Sequence, residues 1–108
     1  MGNFVLGSYK PYPDGYMLLR DYIEYFHIKD SFATGAIVPP GCGEAGIADI
    51  IKAHGEYSNR DFFISLEPHL QTFEGLKSIA GMEFDNPYKY ETRELAFADA
   101  VEKIRAII

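Results

Sequence analysis

Glu67 is the residue best placed for chemistry in this chain. Residues 62–66, Phe-Phe-Ile-Ser-Leu, form a short apolar run with the length of a buried strand rather than a helix. Side chains alternate along a strand, so Phe63, Ser65 and Glu67 share one face, and Phe62, Ile64 and Leu66 the other. Glu67 thus ends the strand just before Pro68 breaks the ladder. In parallel α/β sheets and barrels that end is where catalytic side chains sit. A carboxylate there needs a metal, a cation or a proton to offset its desolvation. A second polar-ended strand is expected over residues 25–30, with His27 and Lys29 on one face and Phe26 and Ile28 on the other. Neutral imidazole and carboxylate are a coherent donor pair for a hard-to-borderline divalent ion.

These residues need a scaffold. Residues 3–6 read as a brief first strand, and residues 7–15 as a loop rich in Gly and Pro. A helix is predicted from residue 14 or 15 to 25, on a stripe of Tyr16, Leu19, Tyr22, Ile23 and Phe26. Residues 31–46 read as a structured loop in which Asp30 caps the following turn and Cys42 is an ordinary thiol. A second helix is predicted over 44–54, with Ile47, Ile50 and Ile51 inward, His54 exposed at its end, and Gly55 as the stop. A long connection over 71–90 carries Phe73, Phe84, Tyr88 and Tyr90, as a lid or an apolar cover would. A last helix is predicted over 92–107, with Leu95, Ala98, Val101 and Ile104 in register. Strand and amphipathic helix alternate three times, which implies an α/β fold with about three parallel strands.

The totals narrow the classes. The 108 residues fit one domain, residues 1–108. A net charge of −6 argues against general nucleic-acid affinity, which needs a basic footprint. One cysteine permits no intrachain disulfide, so a cytoplasmic location is expected. No apolar run reaches membrane-spanning length, so no membrane partner is expected.

Three segments, Phe26-His27-Ile28-Lys29-Asp30, Pro40-Gly41-Cys42-Gly43-Glu44 and Phe63-Ile64-Ser65-Leu66-Glu67-Pro68-His69-Leu70, follow one another in an order and spacing with a precedent. Together they resemble the C-terminal part of the sugar phosphate isomerase/epimerase family, whose fold is the xylose-isomerase-like TIM barrel. The opening Asn3-Phe4 is similar to the end of the preceding barrel strand. The resemblance implies one divalent metal (Mn, Mg, Co or Zn) held near the C-terminal rim by Glu, Asp, His and Glu from four strands. His27 matches the histidine ligand, and Glu67 the last glutamate, which in family epimerases is also an acid/base group. Lys29, His69 and Asn3 fall where substrate contacts occur. Cys42 departs from the family loop, which commonly has Glu there.

A full barrel takes about 250 residues, so the chain is expected to be a partial (βα) barrel, the C-terminal segment of such an enzyme. The function expected from the resemblance is that of a metal-dependent sugar or sugar-phosphate isomerase/epimerase-like protein. With two of four ligands it is expected to be inactive alone, and the metal can be absent. Open sheet edges and an apolar inner face imply a homo-oligomer. The alternative is a non-catalytic ligand-binding or interaction module on the same fold. A phosphodiester-cleaving relative is disfavoured by the acidic balance and the few His and Asp.

Overall fold

The computed structural model describes residues 1–70 and 86–108. It is a mixed α/β arrangement with four helices and two small sheets among these residues: α1 (Gly2–Leu6), α2 (Tyr16–Leu19), β1 (Tyr25–Ile28), β2 (Asp30–Ser31), β3 (Ile37–Val38), α3 (Ile47–Tyr57), β4 (Phe63–Leu66) and α4 (Arg93–Arg105). β1 and β4 run parallel, pairing Tyr25 with Phe63, Phe26 with Ile64, His27 with Ser65 and Ile28 with Leu66. β2 and β3 form a separate antiparallel pair. The connection from β1 to β4 passes through α3, as parallel strands require.

The parallel sheet therefore has two strands among the described residues rather than three. The expected first strand is α1 instead. Its inward residues, Gly2 and Val5, are three apart, as one helix face needs. The Gly2 N–H donates to the Lys29 carbonyl at 2.7 Å. A Cβ on Gly2 would lie 2.9 Å from that oxygen, so a larger residue there would force the two segments apart.

The helix expected to span 14 or 15 to 25 is shorter and broken. A wide turn over Pro11–Gly15 leads into α2, and a single 3₁₀ turn, Arg20–Tyr22, ends it. Ile23 is already extended, because β1 begins two residues later. Of the expected stripe, Tyr16 and Phe26 are buried while Leu19 and Tyr22 are exposed.

α3 starts at Ile47, later than expected, and continues past Gly55. Residues 41–45 are committed elsewhere: Asp30 takes the amides of Gly41, Gly43 and Ala45, and those of Cys42 and Glu44 donate to the Pro39 and Ser31 carbonyls. The Asp30 carboxylate, 1 % exposed, accepts from the N–H groups of Ser31 (2.9 Å), Gly41 (2.9 Å), Gly43 (3.0 Å) and Ala45 (3.1 Å). Gly46 turns the chain in the left-handed region, φ 64°, and the helix follows. Beyond Gly55, Tyr57 supplies an anchor: its hydroxyl donates to Asp21, and the Arg20 guanidinium lies 4.3 Å from its ring centre.

The core lies between the sheet's inner face and the helices. Phe26 and Ile28 of β1 meet Ile47, Ile50 and Ile51 of α3, Val5 of α1, Tyr16 of α2 and Ile104 of α4. His54, expected to be exposed, is buried among them at 3 %. It completes the Ile47, Ile50, Ile51 spacing at i+7. α4 begins at a Thr92 cap, whose hydroxyl accepts from the Leu95 N–H at 3.2 Å. It buries Ala96, Ala100 and Ile104, and not the expected Leu95, which is exposed. Ala96 and Ala100 pack with Leu70 and Tyr90, where a small residue lets the helix approach closely. The Asn86 amide fixes this region by donating to the Ile37 carbonyl at 2.7 Å. The first part of the expected connection, with Phe73 and Phe84, lies outside the described residues.

Candidate functional site

The outer face of β1 and β4 brings the predicted residues together. Alternation with Phe26 and Ile28 buried leaves Tyr25 and His27 facing out, and the parallel register sets Phe63 and Ser65 beside them. Tyr25 and Phe63 stack at 4.8 Å with their planes 5° apart, forming an aromatic floor next to the polar groups. The ladder then runs one step further, since the Glu67 N–H donates to the Ile28 carbonyl at 3.0 Å. Glu67 is thereby set next along the same face, beyond Ser65.

Both carboxylate oxygens of Glu67 meet an imidazole. His27 Nε2 donates to Oε2, and His69 Nε2 lies 2.9 Å from Oε1. His69 reaches back to Glu67 from a left-handed backbone, φ 44°, directly after Pro68. That conformation is unfavourable for a non-glycine residue and fits a position held by its surroundings. The other nitrogen of His27, Nδ1, is 2.7 Å from the Ser65 hydroxyl oxygen. The bond from His27 holds the Glu67 carboxyl below its usual range against the opposing effect of partial burial, and the nearby His69 and Lys29 act in the same direction. Glu67 is therefore held toward its ionised, hydrogen-bond-accepting form, partly open to solvent.

Of the residues predicted for the site, His27, Glu67 and His69 are in direct contact, and Lys29 is close enough to act on Glu67 through its charge. Asn3 is carried on α1, exposed, with its carbonyl accepting from the Gly7 N–H at 3.1 Å. No side-chain hydrogen bond joins it to the other four among the described residues. Ser65 was not singled out from the sequence as a site residue. Its signal was its place on the same strand face as Glu67.

Carboxylate and imidazole in hydrogen-bond contact are the residue types that general acid–base chemistry uses. As a metal centre it is incomplete. His27 Nε2 and Glu67 Oε2 converge, but no group of three or more His, Cys, Asp or Glu able to hold a metal ion occurs among the described residues. Two donors fall short of the three or four protein ligands that such ions take. A hollow of about 220 Å³, bordered by Phe4, Tyr16, Ile23, Tyr25 and His27, lies next to the pair on the β1 side. A second hollow, of about 330 Å³, is lined by Gly55 and residues 58–62 at the opposite end of β4.

No helix among the described residues is long and apolar enough to cross a membrane. Comparison of the chain with protein-family models, with curated proteins and with solved structures gives no match.

Proposed function

We propose that this chain supplies part of a metal-dependent sugar or sugar-phosphate isomerase/epimerase site in a partial TIM-type (βα) barrel. The observation that carries the reading is the convergence of His27 and Glu67 on one open face at the C-terminal ends of two parallel strands. In this role Glu67 exchanges a proton with the substrate carbon next to a carbonyl, and His27 holds the carboxylate in place. Lys29 and His69 face substrate oxygens. A divalent ion (Mn, Mg, Co or Zn), completed by ligands from outside the described residues, would polarise that carbonyl. The isolated monomer is inactive. Working assemblies are homo-oligomers in a reducing, cytoplasmic setting.

Native mass spectrometry of the purified chain with and without divalent ion tests this. An oligomer that retains the ion, and loses it on His27→Ala, is the expected result. Ketose epimerisation by a monomer, or a species that never takes up the ion, overturns it.

The incomplete ligand set favours one other reading, a non-catalytic ligand-binding or interaction module on the same fold. Under that reading sugar binding survives Glu67→Gln, whereas in an isomerase Glu67→Gln abolishes turnover and leaves the fold intact.

A further inference from the structure

We propose that Ser65, His27 and Glu67 act together as a nucleophile, its base and the acid that orients the base, and that Ser65 takes the acyl group of carboxylic esters. This goes beyond the isomerase reading and does not rest on it, because it needs no ion and moves no proton on carbon. The register sets Ser65 directly beside His27, and its hydroxyl oxygen is 2.7 Å from Nδ1. The Phe26 carbonyl oxygen lies 3.5 Å from the same hydroxyl, so the shorter bond is to the imidazole. The opposite ring nitrogen, Nε2, is bonded to Glu67 Oε2, and His69 Nε2 steadies the second carboxylate oxygen from 2.9 Å. A nucleophile within reach of a base that a third group orients is the arrangement nucleophilic catalysis uses.

Hydrogen counting fixes the direction of transfer. An ionised carboxylate only accepts, so the hydrogen between His27 and Glu67 is on Nε2. The neutral ring then offers a lone pair at Nδ1, and Ser65 donates to it. His27 is exposed and Ser65 half-buried, so an ester reaches the hydroxyl from solvent. Phe63, two residues before Ser65 on the same face, and Tyr25 stacked on it present apolar surface, which selects esters with an apolar acyl group. In the first step the Ser65 oxygen bonds to the ester carbonyl carbon while its proton passes to Nδ1. The bond from that carbon to the alcohol oxygen then breaks, and the alcohol leaves with the proton. In the second step water gives a proton to Nδ1 and its oxygen to the acyl carbon. The Ser65–acyl bond breaks, and the serine oxygen takes the proton back. The products are an acid and an alcohol, and nothing is oxidised or reduced.

The test uses the full chain in excess chelator, with p-nitrophenyl butyrate for turnover and a fluorophosphonate for mapping. The fluorophosphonate bonds through phosphorus to the attacking oxygen and releases fluoride, so peptide mass spectrometry identifies the modified residue. Wild type is expected to be labelled at Ser65 and to release nitrophenolate, and Ser65→Ala to do neither above buffer. His27→Gln removes the base and is expected to lower kcat about 100- to 10,000-fold. In Glu67→Gln an amide N–H faces Nε2, which puts the ring hydrogen on Nδ1, and kcat is expected to fall at least ~10-fold with KM unchanged. The wild-type map reads Ser65 directly, so it decides the case even where a variant folds poorly. Wild type that is unlabelled, or labelled elsewhere and not at Ser65, overturns the inference. So does turnover that Ser65→Ala or His27→Gln leaves unchanged. Failure of wild type to bind a divalent ion overturns the metal-site reading alone.

Discussion

The Glu67 amide donates to the Ile28 carbonyl at 3.0 Å, one step beyond the last strand pair. The site carboxylate is therefore placed by the sheet rather than by a free loop. Its side chain is one-third exposed and its polar partners are themselves at the surface. Glu67→Gln should leave stability within about 0.5 kcal/mol of wild type, as surface changes do. It should also weaken divalent-ion uptake by at least ~10-fold, because an amide is a poorer donor than a carboxylate. Denaturant titration and isothermal calorimetry measure the two effects. A large loss of stability would mean that Glu67 is structural.

Asp30 is the hub of the loop before α3. Removing its carboxylate strands four amide hydrogens, three of them on the segment that follows β3. Asp30→Ala should cost on the order of 3–5 kcal/mol. Gly43→Ala attacks the same arrangement sterically, since a Cβ there would press on the carboxylate and lie 2.7 Å from the Ser31 carbonyl oxygen. About 1–3 kcal/mol is expected. The double variant should cost less than the sum, because both break one network. Urea midpoints of the three proteins decide this.

His54 makes the fold sensitive to acid. Its ring meets Phe26 and Phe62 edge to face at 5.1 and 4.9 Å, and among the described residues its polar side-chain contact is the Tyr16 hydroxyl at 3.5 Å. Burial pushes the imidazole below its usual range. The unfolded chain therefore binds a proton more readily than the folded one. The stability contributed by neutral His54 is complete above about pH 6.5 and declines as pH falls below it, until the folded value is passed. Urea midpoints should drop between roughly pH 7 and 5, and His54→Leu should flatten that slope. Equal slopes in both proteins would remove His54 as the cause.

The stacked Tyr25 and Phe63 are 50 % and 64 % exposed, on a sheet with two strands among the described residues. An open aromatic face of this kind favours association with a second copy. Light scattering should report a dimer or larger species, and Phe63→Lys should shift it toward monomer. A monodisperse wild-type monomer would contradict the proposed assembly.

What the sequence revealed depended on the range over which its signals act. The outward faces of β1 and β4 were readable because strand alternation is local and strict at period two, whereas the pairing of His27 with Glu67 was expected only from the family resemblance. The last helix was recognisable, and Ile104 is buried as expected, but Leu95 was assigned inward in place of Ala96 and Ala100. The pattern favours large residues such as Leu95, whereas close packing against Leu70 and Tyr90 selected Ala96 and Ala100. Residues 3–6 looked like a strand because they are a short apolar run in which Phe and Val favour one. Two long-range bonds at Gly2, its N–H to the Lys29 carbonyl and its carbonyl from the Ser31 hydroxyl, accompany the helix formed instead. Asp30 was expected to cap the next turn, and it does more, since its other amides come from residues 11 to 15 positions away. His54 was misplaced because its polar type outweighed its perfect i+7 spacing from Ile47.

The Asp30 carboxylate also sets how the chain opens. The amides of Gly41, Gly43 and Ala45 belong to no helix or strand, and loop amides ordinarily trade hydrogen with water quickly. Here each is bound to one buried charge, and freeing any of them exposes that charge to a gap. The three should exchange slowly and together, at a rate set by a shared opening rather than by their separate exposure. A stretch that looks irregular along the chain thus behaves as one cooperative unit with the interior.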